Sequence, residues 1–595
     1  MKQKKESLVG TIVSVNGNVI SVKMHDRVKS TMPIIDGLLY RIGQIGSFLR
    51  IPLGYINLYG VVTKIGADAI PESLKELALG EDERSLNTRW MSLVLIGERI
   101  GRKFERGVTQ FPTAEDEVHL VTIEDLNVIY GGFDESNSIT VGNISVSESL
   151  PAKMELDKLV TRHCAIVGST GSGKSNTVAI MLEAISRGEF PSARILLIDP
   201  HGEYNESLKE YSKVFKVNAD KQEQSELYIP FWALPFDELM ASFPGALNDQ
   251  QRDYVRGKIL EKKIAAIENL KIKPDVNSLT SDSPIPFSIK QLWFELDDFE
   301  RQTFKENRKP ETAAAMLKEK GNPAKLISNT YEPASPGGGS PFLNFQAKGI
   351  LGFLDGMKTR MLDQGYKFLY EPGDLNPDLD GNVKSDLDSL LCEWLGHDRP
   401  ITILDLSGIP TDIMSSISGS LLKIVYDALF WGQNLPVGGR EQPLLLVLEE
   451  AHNYLKAGED SISSRTVQKI AKEGRKYGVG LLLVTQRPTE LDETVLSQCG
   501  TLIALRMTNK GDRGHVSAAV QDELYDMVAL LPSLRTGEGL IMGEAVKIPS
   551  RVKFEQISKA PKSTDPLVSR QWTKPKPDNK EYKTAVDYWR NQKFS

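Results

Sequence analysis

The chain has 595 residues, 40% of them hydrophobic and 25% charged, with a formal net charge of -7; the length suits several domains and the composition an ordinary globular fold. The negative balance excludes a uniformly basic, histone-like binder but leaves room for a local basic channel. Cys164, Cys392 and Cys499 stand too far apart for a disulfide framework or a CxxC metal site, and no apolar run approaches the ~18 residues that span a bilayer, so a cytoplasmic protein without membrane segments is expected.

Residues 1–140 carry short alternating runs such as "GTIVSVNGNVISVKM", "GSFLRIPLG" and "MSLVLIGERIG", punctuated by Gly and Asn-Gly turns. Alternation of this length predicts an N-terminal β-barrel or, nearly as well, one irregular β sheet. From 141 the period changes. "HCAIVG" reads as a strand, "KSNTVAIMLEAISR" as a helix and "ARILLIDP" as a second buried strand, giving the first part of an α/β core over 141–230. Across 231–394 strands give way to helical stretches, "DQQRDYVRGKILEKKIAAIENL", "SIKQLWFELDDFERQTFKE" and "PETAAAMLKEK", which predict a helical insertion. Strands return over 395–560 as "PITILDLSG", "QPLLLVLEE", "GVGLLLVTQ" and "GTLIALRM". Strands alternating with helices predict a mainly parallel α/β sheet. Residues 561–595 are polar and have no core of their own, so they form an arm that is either disordered or docked on a neighbour.

The stretch "GSTGSGKS", Gly168–Ser175, fits G-x-x-x-x-G-K-[ST] in full and lies between a predicted strand and a predicted helix. Glycines let the backbone N–H groups curl around phosphates, and the helix N-terminus adds positive potential. Gly168, Thr170, Gly171, Ser172, Gly173, Lys174, Ser175 and Asn176 are therefore the candidate ATP-binding residues. Lys174 suits the β- and γ-phosphates, and Ser175 suits Mg²⁺.

The run "LLLVLEE" ends in two adjacent acids, whose side chains diverge from a strand. Glu449 is assigned to the magnesium side, through water, and Glu450 to the attacking water. The first acid of such pairs is commonly Asp, so which acid holds which role stays open. Gln486 closes the strand "GVGLLLVTQ" and is either placed to sense the γ-phosphate or a hydrogen-bonding group at a strand end. Arg475, in "KEGRKYG", is either a finger supplied across a subunit boundary or a cation at a helix C-terminus, and Lys476 beside it is an equal candidate. Asp199 and Glu203 in "DPHGEY" either position an arginine or metal-bound water, or shape a turn. "NYLKAGEDSISSRTVQ", with Lys456 and Arg465, is either a pore loop or a solvated loop.

Together "RHCAIVGSTGSGKSN", "LLIDPHGEY", "LEEAHNYL", "EGRKYGVGLLLVTQRP", "LSQCGTLIALRMTN" and "LRTGEGLIMG", in that order, resemble the HerA family of HerA/FtsK-type DNA translocases. The resemblance covers most of the chain. It implies a RecA-like P-loop NTPase core with an N-terminal HAS barrel and a helical insertion, assembled as a homo-hexamer on double-stranded DNA. It implies that Glu450 is catalytic, Arg475 the arginine finger and Gln486 the sensor. It also implies a separate effector chain, a NurA-like nuclease or, in bacterial antiphage members, a sirtuin-like NAD-consuming protein. The competing expectation is a nucleotide-controlled assembly platform that activates such a partner without pumping DNA.

Overall fold

The computed structural model describes residues 7–25, 28, 34–35, 38–39, 45–66, 89–145, 150–220, 222–270, 273–307, 314–459, 461–519, 525–561, 568–576 and 579–590. The alternating N-terminal runs become β1 (Leu8–Asn16), β2 (Val19–Met24), β3 (Phe48–Leu53), β4 (Ile56–Gly66), β5 (Trp90–Ile100), β6 (Lys103–Arg106) and β7 (Glu117–Leu120). They pair in the order β2-β1-β7-β3-β4-β5-β6, and β5 also pairs with β2. Six strands thus close into a barrel, with β6 on its outside. Closure removes the free edges that alternating strands otherwise expose. Val9, Ile20, Val22, Leu58, Leu93 and Val118 fill the interior.

Polar contacts tie the barrel to the rest of the chain. Helix α1 (Ile123–Tyr130) starts in a capping box made by Thr122 and Asp125. Buried Asp125 also accepts from the Tyr59 hydroxyl at 2.9 Å and from Arg99 at 2.8 Å. Arg106 donates to the carbonyls of Lys547 and Gly543, far along the chain.

The second sheet has twelve strands. They are β8 (Ser138–Ile144), β9 (Pro151–Glu155), β10 (Cys164–Val167), β11 (Arg194–Asp199), β12 (Ser212–Lys216), β13 (Ser225–Glu226), β14 (Ile401–Asp405), β15 (Leu444–Leu448), β16 (Val479–Thr485), β17 (Thr501–Leu505), β18 (Glu538–Gly543) and β19 (Ser550–Phe554). Their order is β9-β8-β19-β18-β17-β10-β16-β15-β11-β14-β12-β13. From β17 to β13 every pairing is parallel, while β17–β18, β18–β19, β19–β8 and β8–β9 are antiparallel. Strands β10, β14, β15, β16 and β17 are buried throughout because helices cover the sheet, which is why they read as apolar runs, while β12 and β13 at the edge are only partly buried. The chain passes from β10 to β11 across the places later taken by β16 and β15. That reversal of order opens a crevice at the carboxyl ends of these four strands, where α/β sheets bind ligands.

Helix α2 (Lys174–Arg187) follows β10. The insertion supplies α3 (Asp249–Ala266), α4 (Ile289–Arg301) and α5 (Leu351–Leu362), and its apolar side chains are continuous with the core of the twelve-stranded sheet. Strands are not absent from it. Thr303–Phe304 pairs with Phe342–Leu343, and Leu317–Glu319 with Thr330–Tyr331. The helix expected over "PETAAAMLKEK" is therefore corrected: Leu317–Glu319 is extended, and residues 310–313 lie outside the described residues. Helices α6 (Met414–Trp431) and α7 (Ile462–Glu473) flank β15 in sequence. Asn579–Arg590 is helical, with the side chains of Lys580 to Tyr588 and of Arg590 exposed, and residues 562–567, 577–578 and 591–595 of the expected arm lie outside the described residues. Among the described residues no helix is long and apolar enough to cross a membrane.

Candidate active site

The phosphate loop leaves β10 at its carboxyl end. The Gly168 N–H donates to the Thr485 carbonyl at 3.3 Å and the Ser169 N–H to the Arg506 carbonyl at 2.9 Å, so the loop starts pinned between β16 and β17. A Cβ on Gly168 would lie 2.6 Å from the Ser172 hydroxyl. Gly173, at φ +105°, is left-handed and leads straight into α2, whose N-terminal N–H groups face the loop. Lys174 is buried, and its ammonium has only a 3.4 Å contact with the Ser169 carbonyl. Burial draws its pKa down, while the charges of Glu450, Glu449 and Glu203 draw it up. A buried ammonium with spare donors amid three carboxylates is poised for an anion. Among the described residues the Ser172 hydroxyl is likewise buried without a partner.

Two loop residues are already engaged by the protein. Thr170 donates to the Gln486 side chain at 2.6 Å, which brings the predicted sensor onto the loop itself. Asn176 donates to the Glu555 carbonyl at 2.7 Å and accepts from the Ile557 N–H at 3.2 Å, so its amide anchors α2 to the chain beyond β19. A second tie was not read from the sequence. The Gly537 N–H donates to the Ser172 carbonyl at 3.0 Å and the Thr536 hydroxyl to the Gly171 carbonyl at 3.4 Å. The Thr-Gly pair of "LRTGEG" just before β18 was the available signal.

Beyond β15 the two acids part company. Glu449 is enclosed, and its carboxyl is held well above the usual range, first by burial and then by the charges of Asp199, Glu450 and Glu203. Glu450 is left-handed at φ +50°, a conformation that costs a non-glycine residue about 1–3 kcal/mol and clusters at functional sites. Its carboxylate lies 3.3 Å from Nδ1 of His452, which in turn is 3.1 Å from the Thr485 hydroxyl. Thr485 immediately precedes Gln486, so the acid and the sensor are linked through one imidazole.

The "DPHGEY" turn separates two roles that the sequence left together. Asp199 accepts the N–H groups of His201 (3.1 Å), Gly202 (2.8 Å) and Tyr204 (3.2 Å) and shapes the turn. Burial pushes its carboxyl up to about 7. Glu203 reaches the loop and accepts the Ser175 hydroxyl at 2.8 Å.

Arg475 is not in this crevice. It sits in the turn Gly474–Tyr477 before β16, while Gln486 follows the same strand. Six steps of extended chain separate the two ends by about 20 Å. Arg475 and Lys476 are both exposed. Lys456 is exposed in its loop, but Arg465 belongs to α7 and feels the charge of Glu238 in the insertion, which removes it from the expected pore loop. Arg506 contributes a carbonyl to the phosphate loop.

The residues fit a nucleotide with Mg²⁺. Among the described residues no three His, Cys, Asp or Glu side chains are grouped to hold a metal ion by themselves. Mg²⁺ does not ask for such a cage, since it keeps several waters and takes one or two protein groups beside phosphates. The Ser175 hydroxyl and the Glu203 and Glu449 carboxyls offer that donor set.

Residues 139–425 match the family model "Helicase HerA, central domain", and residues 415–587 match "Helicase HerA-like C-terminal". The DNA double-strand break repair helicase HerA of Sulfurisphaera tokodaii is 24% identical, over 89% of this chain and 92% of its own. The protein of the same name from Saccharolobus solfataricus is 25% identical, over 78% and 77%. Among solved structures, VirB4 of Thermoanaerobacter pseudethanolicus is 14% identical with a TM-score of 0.45, over 72% of this chain and 98% of that one.

Proposed function

The chain belongs to the HerA helicase family and is an ATP-hydrolysing enzyme of that kind, and from this premise we propose that it is a homo-hexameric motor that moves double-stranded DNA for a separate effector chain. The observation that carries the reading is the crevice itself. A complete phosphate loop, a buried Lys174, an acid in strained backbone and a glutamine on the loop meet at four strand ends.

Lys174 and the N–H groups of the loop and α2 hold the ATP phosphates. Ser175, with Glu203 and Glu449 through water, would hold Mg²⁺, which supplies charge neutralisation on phosphate oxygens. Glu450 orients the attacking water and accepts its proton. Gln486 meets the γ-phosphate while its contact with Thr170 keeps it on the loop. Arg475 stands at the far end of β16 and so serves the ATP of the next subunit. Loops facing the channel grip DNA phosphates, a contact that carries no base information and suits sequence-independent movement. A nuclease or an NAD-consuming protein is the effector class we expect, in DNA end processing or antiviral defence.

The experiment is subunit mixing. Lys174→Ala is expected to abolish ATP binding or hydrolysis. Arg475→Ala should hydrolyse at under about 1% of the wild-type rate while still binding ATP, in line with the usual weight of such an arginine. Mixed with Glu450→Gln subunits, it should recover part of the rate, because some interfaces then hold both native residues. Failure of every mixture to recover would sink the assignment across subunits.

A further inference from the structure

An apolar surface stands at the end of the sheet opposite the nucleotide crevice. Helix α6 runs out at Trp431, which is 82% exposed, and the loop after it presents Leu435 and Val437 at 56% and 63%. Trp431 leans its edge on Phe430 with ring centroids 5.4 Å apart, and Phe430 packs on Tyr477 at 4.9 Å. The loop is fastened to the turn that carries Arg475. Arg440 donates to the Lys476 carbonyl at 3.0 Å, and a Cβ on Gly439 would fall 2.0 Å from the Tyr477 carbonyl. Arg194, at the start of β11, holds the Val437 carbonyl at 3.0 Å. The patch is therefore built into the amino ends of β11, β15 and β16 and is one surface with the Arg475 turn.

We propose that Trp431, Leu435 and Val437 form the anchor by which one copy of this chain docks on the nucleotide-bearing face of the next; the proposal rests on the hexameric reading of the function. The occupant is a second copy for two reasons. The turn fastened to the patch bears an arginine that cannot reach its own crevice, so whatever seats that arginine also covers the patch. The charges also match. Arg440, Lys472, Arg475 and Lys476 are exposed around the patch against Glu441 and the half-buried Glu473, whereas the crevice sets Glu203 and Glu450 against Lys174 and receives phosphates. A tryptophan and an arginine side by side are the residue types that dominate interface energetics, and one tryptophan brings about 200 Å².

The test is the oligomeric state of full-length Trp431→Glu and Leu435→Glu by sedimentation velocity over a range of protein concentration, with ATP and Mg²⁺. Both residues are exposed, so the subunits should melt within a degree or two of wild type. Each variant is expected to need at least about tenfold more protein than wild type to assemble, with hydrolysis per subunit recovering as concentration rises. Variants that assemble as wild type does would overturn the anchor while leaving the ring intact. A wild-type chain that stays monomeric at every concentration would overturn the ring and the anchor with it.

Discussion

At the residue scale the site is a set of ionisable groups whose burial sets their behaviour. Asp199 holds its proton in the folded chain up to about 7, whereas a free aspartate gives it up near about 4. A group whose folded pKa is raised stabilises fully below its unfolded value and loses that contribution as pH rises through the folded one. The nucleotide-free chain therefore loses stability between about pH 4 and about pH 7 through Asp199. His163, pushed down to about 4 by burial, acts in the opposite sense below its ordinary value. The diagnostic is thus the difference between wild type and Asp199→Asn, which can keep the bonds from His201 and Gly202 to one side-chain oxygen. In urea titrations that difference should shift in favour of the variant as pH rises from about 5 to about 8. A constant difference would show that Asp199 is ionised throughout. The identity of the phosphate loop and the acid pair was legible in the sequence because each is a contiguous motif. The division between Asp199 and Glu203 was not, since it depends on which carboxylate the fold of the turn carries to Ser175.

At the element scale, agreement between sequence and structure follows burial. Helix α2 spans the residues its period predicts, and β10, β11 and β14–β17 fall within the apolar runs that announced them. Strand β12, "SKVFK", escaped because it is short and polar at both ends. Strand β8, "SITVGNI", belongs to the core sheet although its alternation reads like a barrel strand. The insertion hides a different determinant. Lys263 is buried in α3 and donates to the carbonyls of Ser283 (2.6 Å), Ser281 (2.7 Å) and Trp232 (3.1 Å), stapling a loop to the helix. Lys263→Met keeps the volume but strands three acceptors, so a loss of about 1–3 kcal/mol is expected by chemical denaturation. An unchanged midpoint would mean that the loop carbonyls find other partners.

At the scale of the whole molecule, the sheet has two working ends. Its carboxyl end holds the crevice, and its amino end presents Arg475 beside the exposed Trp431 patch. On the proposed reading, the site of a chain so divided is completed when the amino end of one copy meets the carboxyl end of another. Neither the anchor nor the separation of Arg475 from Gln486 could be read as a motif, because both arise from strand order and direction.

A motor of this kind couples hydrolysis to DNA, and that coupling can be read from one ATPase assay. The rate of the purified full-length chain is measured with and without linear double-stranded DNA, at low and at moderate salt. Stimulation by DNA that fades as salt rises is expected, because phosphate contacts release counterions. A rate indifferent to DNA at both salt concentrations would contradict the motor and favour a nucleotide-controlled platform for a partner.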